Sequence, residues 1–349
     1  MTTEQSPAIA YTQAGPLELP VPAARAIGVL GTGSYLPDRV VDNAEIAANT
    51  GVTKDWILTK TGIRTRRYAA PGQATSDLAA AAGRAALADA GIRPGQLDYI
   101  VVATSTPDHP QPATAALVQQ LLGADGAAAF DVNAVCTGFL FALRAAAGML
   151  DSDRYGLVIG ADIYSGIIDP TDRRTAVLFG DGAGAVVLGP VEPPAGLLGT
   201  VLRTHGDLHA TIRVPAGGSR IPARGLDPDD KAHYFAMEGR AVRDFVTDQL
   251  PLSIKEVLRA TGLPETVVRH FIPHQANGAM LRDLAPALDL PNARHHLVVE
   301  HVANTGAASV PIALDTAQRA GALAPGDHIL LSAFGGGMSI GSTVLRWGR

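Results

Sequence analysis

The 349-residue sequence has a single cysteine, Cys136, so no disulfide can form within the chain. It is also short of charge, at 17%, and of aromatic residues, at 5%. The lysines and arginines form no long run, and the net charge of −5 gives no electrostatic footprint for nucleic acid. Long hydrophobic runs are missing too. The most apolar helical stretch, residues 137–150, is broken by Arg144 and is too short to span a bilayer. No basic segment followed by an apolar run opens the sequence, so a cytoplasmic protein is expected. GDGAG (180–184) lacks the lysine of a phosphate-binding loop, and Gly31-Thr32-Gly33 lacks the third glycine of a dinucleotide fingerprint. Both read as turns. His205 and His209 have no third clustered ligand, which argues against a metal site, and His295, His296 and His301 read as solvated or structural.

What is present is apolar: 47% of residues are hydrophobic, enough for one large core or two fused ones. Residues 1–24, rich in Pro, Ala, Thr and Gln without periodicity, are expected to be a mobile extension before a first strand at 26–31. Apolar runs at 99–103, 157–160 and 185–188 suit buried strands and alternate with alanine-rich helical stretches at 76–90 and 111–122, an α/β pattern. The two halves, 25–198 and 199–349, look related. FDVNAVCTGFLFAL (130–143) parallels VEHVANTGAASVPIAL (299–314), so that Cys136-Thr137-Gly138 falls against Asn304-Thr305-Gly306. YGLVIGADIY (155–164) parallels DHILLSAFGGG (327–337), and VVATSTPDHPQP (101–112) is a looser counterpart of VVRHFIPHQAN (267–277). Each triplet is expected to follow a strand and open a helix. Two such halves face to face would bring Cys136, His274 and Asn304 to one centre.

A lone cysteine is either a small core filler or a reactive thiol. At a helix start, with small neighbours to admit a carbonyl and its own N–H beside the thiol, Cys136 is expected to have a lowered pKa and to act as a nucleophile. His274 follows an apolar strand and Pro273, where a side chain can donate a hydrogen bond or move a proton, though a loop histidine would fit as well. Asn304 offers a neutral amide donor, or simply a helix cap. The glycines of AFGGGMSIG (333–341) allow close approach to a ligand, or a tight turn.

VNAVCTGF, PHQAN, NTGAASVP, FGDGAGAVVL and SAFGGG, spread between about residues 26 and 347, together resemble the β-ketoacyl-acyl carrier protein synthase III family of the thiolase superfamily. The resemblance implies a thiolase-like five-layered αβαβα fold built from two duplicated halves, usually a homodimer, with a catalytic Cys136-His274-Asn304 set and an oxyanion hole from the N–H groups of Cys136 and Gly336. It further implies an acyl group loaded from acyl-CoA onto Cys136. A malonyl thioester, expected on a carrier protein as malonyl-ACP, then condenses with it by decarboxylation; no metal or redox cofactor is required. Trp56 in DWILTKTGIRTRR and Arg173 in DPTDRRT match the positions that hold the adenine of coenzyme A. Gly239 and Asn277 match positions along the pantetheine path, and Lys60 stands where the family tends to have an arginine on a phosphate of coenzyme A, keeping the charge but not the forked contact.

Two departures bear on substrate. Gln111 stands where the gate of the acyl pocket has phenylalanine or threonine, which suggests a starter other than plain acetate. The segment after Asn277, GAMLRDLAPALDL, keeps only Arg282 of the basic docking patch; Arg240, Arg243, Arg259 and Arg282 would form a displaced patch, or the acceptor is a dedicated carrier, a coenzyme A thioester or a small molecule. Both favour a specialised pathway, such as polyketide priming, over housekeeping fatty-acid synthesis. Acyl transfer to an O, N or S acceptor without carbon–carbon bond formation is the competing enzymatic reading. A non-catalytic acyl-binding subunit is a third, but it would be expected to have lost the nucleophile.

Overall fold

The computed structural model describes residues 26–151 and 153–349, so the expected extension at 1–24 lies outside the described residues. The first sheet holds β1 (Ala26–Tyr35), β2 (Leu97–Ala103), β3 (Ala128–Val132), β4 (Tyr155–Ile163) and β5 (Asp181–Val191), in the order β1-β5-β4-β2-β3. The second holds β6 (Gly196–Thr204), β7 (Val268–Pro273), β8 (Arg294–His295), β9 (His328–Gly335) and β10 (Ser339–Arg346), in the order β6-β10-β9-β7-β8. The two orders correspond strand for strand. So do the directions: β2 is parallel to β3 and β4, as β7 is to β8 and β9, while β5 and β10 are antiparallel to their neighbours. The duplication suggested by a few sequence identities is thus a duplication of topology.

The helices that cover the sheets are α1 (Thr75–Ala90), α2 (Thr114–Leu122), α3 (Gly138–Met149), α4 (Gly239–Thr261) and α5 (Ser309–Arg319). Strand alternation builds the layers. On β2, Ile100 and Val102 face α1 and α2, packing with Leu78, Ala82 and Val118. Val101 and Ala103 face the other way, into a core shared with α3, α5 and the inner face of the second sheet at Ile272, Ile329 and Leu331. α4 covers the outer face of that sheet, with Val246, Leu250 and Ile254 against Val268, Leu330 and Val344. The result is five layers: α1 and α2, sheet, α3 and α5, sheet, α4. Because both sheets are covered on both faces, their strands read as continuous apolar runs.

Glycines set how closely the central layer approaches. A Cβ on Gly160 would lie 2.3 Å from the Ala307 carbonyl oxygen, and one on Gly184 would lie 2.6 Å from the Ile312 nitrogen. Only glycine lets the first sheet meet the start of α5 there.

Three local expectations need correction. β1 runs to Tyr35 rather than stopping at residue 31. The helix expected from residue 111 begins at Thr114, because Asp131 on β3 accepts the Thr114 and Ala115 N–H groups at 2.7 and 2.8 Å and fixes the first turn there. Asn304 does not follow a strand directly: β8 is two residues long, and a one-turn helix, Val299–Val302, intervenes.

Candidate active site

Cys136 lies in a 3₁₀ turn, Val135–Thr137, that runs into α3, and its counterpart after Asn304 is a 3₁₀ turn, Gly306–Ala308, that runs into α5. The two turns pack on each other and the first also packs on β9. The residues before Cys136 and Asn304 are strained. Among the described residues, the non-glycine residues with φ in the left-handed region are Val135 (+48°), Asp289 (+53°) and Ala303 (+62°), and two of these three immediately precede Cys136 and Asn304. Such conformations cost about 1–3 kcal/mol and persist where the surroundings over-determine them.

The end of β9 joins the nucleophile to the histidine. Phe334 meets the His274 ring edge to face at 5.1 Å, while a Cβ on the next residue, Gly335, would lie 2.8 Å from Cys136 Cβ. Gly335 therefore lets the glycine run approach the thiol, and Gly336 follows, packed against Val135 and Ile212. The backbone N–H of Cys136 lies beside its own sulfur and favours the thiolate.

His274 and Asn304 are oriented by their other atoms. Ser309 Oγ lies 2.6 Å from His274 Nδ1 and accepts the Gln275 N–H at 3.3 Å. Asn304 Oδ1 accepts the Gly306 N–H at 3.0 Å, which leaves its amide NH₂ as the free end. Both side chains are buried, and burial pushes the His274 pKa down to about 3, so the ring is neutral.

The expected lowering of the Cys136 pKa does not occur. Burial, with the nearby Asp162 carboxylate, pushes the thiol up to about 12. A helix N-terminus is worth at most about 2 kcal/mol, or about 1.5 pKa units, and cannot offset that. The thiol at rest is protonated.

Sequence reading missed the groups that surround it. Tyr164, just past β4, places its hydroxyl 3.9 Å from Cys136 Sγ and 3.1 Å from Ser105 Oγ. Its ring stacks on Phe179 at 4.4 Å and meets Phe235 edge to face at 5.7 Å. Asp162, fully buried, accepts from the Ser105 N–H and hydroxyl and from the Ala307 N–H. The signal was the repeat itself: YGLVIGADIY parallels DHILLSAFGGG, so the end of β4 should reach the centre as the end of β9 does.

The remaining predicted positions lie toward the surface. Trp56, 36% exposed on the helix Lys54–Thr61, is not core; Lys60, Arg173, Gly239 and Gln111 are exposed too. Asn277 holds two backbone groups in place. Its Oδ1 caps the helix Gly278–Leu284 through the Met280 N–H at 3.0 Å, and its amide donates to the Lys60 carbonyl at 3.1 Å. A cavity of about 540 Å³ near Arg173, lined by Asp169, Arg174, Lys231 and Glu238, reaches Phe235 of the aromatic wall. The four arginines do not make one patch. Arg243 pairs with Asp283 at 3.3 Å, and Arg282 lies against Gly62, but Arg240 and Arg259 are separated along α4 by about 28 Å at 1.5 Å per residue.

Two facing, topologically identical halves with Cys136 on one and His274 and Asn304 on the other define a condensing enzyme of the thiolase class. The pattern of 3-oxoacyl-(acyl-carrier-protein) synthase III matches residues 130–206, and that of the C-terminal part of the same family matches residues 258–347. The chain is 56% identical over 322 residues to acetoacetyl CoA synthase NphT7 of Streptomyces sp. strain CL190, covering 91% of this chain and 98% of that one. It is 44% identical to the β-ketoacyl-(acyl-carrier-protein) synthase III of Caldanaerobacter subterraneus subsp. tengcongensis, over 93% and 98% of the two chains. Among solved structures, the priming β-ketosynthase of the R1128 polyketide pathway superposes with a TM-score of 0.86 at 34% identity, over 95% and 99% of the two chains. The synthase III of Pseudomonas aeruginosa PAO1 superposes at 0.83 and 39%, over 93% and 99%. The chain belongs to the β-ketoacyl-acyl carrier protein synthase III family. Among the described residues, no helix is long and apolar enough to cross a membrane.

Proposed function

We propose that the chain is an acetoacetyl-CoA-forming condensing enzyme, with acetyl-CoA as donor to Cys136 and malonyl-CoA as the second substrate. The carrying observation is its 56% identity, over nearly the whole of both chains, to an acetoacetyl CoA synthase. In the first half-reaction the Cys136 sulfur attacks the acetyl thioester carbonyl, the Cys136 and Gly336 N–H groups hold the oxyanion, and coenzyme A leaves. In the second, malonyl-CoA loses carbon dioxide. His274 and the Asn304 amide donate to the enolate oxygen, and its carbon attacks the acetyl-enzyme, forming acetoacetyl-CoA and expelling the Cys136 thiolate, which takes a proton from water to restore the thiol. Every bond change is accounted for without a metal or a redox cofactor.

Acetate as starter revises the expectation drawn from Gln111. Tyr164 beside the sulfur, backed by Phe179 and Phe235, makes a solid wall that suits a two-carbon group. Coenzyme A rather than a carrier protein as the acceptor's handle is supported by the arginines: Arg243 is paired with Asp283 and Arg259 stands about 28 Å along α4 from Arg240, so the four do not form one basic surface for an acidic carrier. Trp56 and Arg173 remain the residues assigned to the adenine end, with Lys60 at the phosphates and Gly239 and Asn277 along the pantetheine. A homodimer fits the half-exposed β3 at the edge of the first sheet.

Condensation with malonyl-ACP is the second reading, favoured by the synthase III relatives at 44% identity. Transfer to an O, N or S acceptor fits less well, because two neutral donors, His274 and Asn304, serve an enolate rather than deprotonating a nucleophile. Incubation with mixed acyl-CoAs and intact-mass measurement will show which group Cys136 carries, an acetyl shift being expected. Adding malonyl-CoA or malonyl-ACP to the acylated protein then compares acceptors. A longer acyl shift, or turnover with malonyl-ACP alone, would overturn the corresponding half of the proposal.

A further inference from the structure

Cys136 must lose a proton before it attacks, and His274 is not set up to take it. Among the described residues the Ser309 hydroxyl has no other acceptor than His274 Nδ1, so it donates there, the ring proton sits on Nε2 and that nitrogen is a donor. A different acceptor lies at the end of a chain of hydroxyls. Ser105 Oγ–H donates to Asp162 Oδ1 at 3.0 Å, which leaves the Ser105 oxygen to accept from Tyr164 at 3.1 Å and the Tyr164 oxygen to accept from the thiol at 3.9 Å. The last link is long, as catalytic hydrogen bonds commonly are until substrate tightens them. We infer that Asp162 receives the Cys136 proton through Tyr164 and Ser105, so that Tyr164 is a catalytic residue of the loading step and Ser105 and Asp162 are its relay.

The step balances without a further reagent. The S–H, Tyr164 O–H and Ser105 O–H bonds each break as a new O–H bond forms one link along, ending as a protonated Asp162. All three hydrogen bonds are then reversed, and the Tyr164 hydroxyl donates to the thiolate. After the thiolate displaces coenzyme A, the proton returns by the same path to the departing sulfur. Asp162 is fully enclosed, its carboxyl pushed up by burial to about 6, and once protonated it no longer opposes the thiolate by its charge. Tyr164 is held well above its usual pKa by burial, so it relays by exchange and does not ionise. Asp162 and Tyr164 are the titratable groups acting on the thiol.

The inference rests on the reading of Cys136 as the residue that is acylated, and its test separates the two. Tyr164→Phe keeps the ring stacked on Phe179 and removes only the hydroxyl; Ser105→Ala breaks the path two links from the sulfur and leaves the Ser105 backbone N–H on Asp162. Iodoacetamide alkylation of Cys136 and single-turnover acetyl loading are both followed against pH by intact mass. At neutral pH both variants are expected to react about 10²-fold more slowly than the wild-type protein, the range of a lost proton-transfer path, and to converge on it near pH 10, where hydroxide removes the proton directly. Rates within two-fold of wild type, a deficit equal at every pH, or a deficit in Tyr164→Phe without one in Ser105→Ala would each overturn the relay. A wild-type protein that is alkylated but takes no acyl group would overturn the functional reading instead.

Discussion

Ser309 Oγ and His274 Nδ1 are 2.6 Å apart, and the pair decides what the imidazole can do. The serine opens α5 in the central layer, while the histidine follows the last residue of β7 in the second sheet, so the packing of helix on sheet is what fixes the tautomer. Ser309→Ala removes the donor to Nδ1 and lets the proton move there, turning Nε2 from donor to acceptor. Acetyl loading should persist, while kcat for condensation falls about 10-fold with KM for the malonyl thioester little changed. Separate loading and condensation assays check this, and an equal loss in both halves would contradict it.

Asn304 should be sensitive to charge as well as to truncation. Its Oδ1 is held by the Gly306 N–H, so Asn304→Asp puts an acceptor oxygen where the free amide donates. Condensation should fall by about 10²–10³-fold, the cost of losing one oxyanion donor, and the variant should still accumulate acyl-enzyme. Product formation at the wild-type rate would show that Asn304 does not bear on the enolate.

The Cys136 and Asn304 triplets were legible in the sequence because the duplication sets them against each other, and the apolar runs were legible because both sheets are covered on both faces. Ser309, Phe334, Asp162 and Tyr164 were not, because their roles depend on contacts between segments far apart in sequence, such as Ser309 with His274 and Asp162 with Ala307. The thiol pKa was misjudged for a related reason. Local position names the helix end, whereas burial is set by the whole fold and is the larger effect here. The expected arginine patch loses Arg259 on helix geometry: Arg240 and Arg259 stand near opposite ends of α4, and the sequence pattern alone did not fix where that helix begins and ends.

Gly160 is where the first sheet meets the turn after Asn304. A methyl there would stand 2.3 Å from the Ala307 carbonyl oxygen and 2.7 Å from its carbon, and the obstruction is backbone that also holds Asp162 through the Ala307 N–H. Gly160→Ala should cost about 3 kcal/mol or more by forcing the layers apart. Gly95→Ala, with no atom within 4 Å of the added carbon, is the matched control and should be near neutral. Urea melts of the two variants make the comparison.

His270 is held between His296, 2.9 Å away, and Asp327, 3.0 Å away. If His270 donates from Nε2 to the carboxylate, its Nδ1 accepts from His296 Nε2–H. Burial, reinforced by His270, pushes the His296 pKa from 6.5 down to about 4. The sign follows from proton uptake: between those two values the unfolded chain binds a proton that the folded protein does not, so stability falls as pH drops through that window. The full effect is about 3 kcal/mol. His274 is depressed in the same direction and Asp162 is raised, which acts in the opposite sense, but both are common to wild type and a His296→Gln variant and cancel in the difference. Gln keeps an N–H donor near the Nε2 position and cannot titrate. The gap in unfolding free energy between wild type and variant should therefore shift in the variant's favour by about that amount between pH 7 and pH 4, read from urea melts; a gap that does not change with pH would show that His296 is not held neutral.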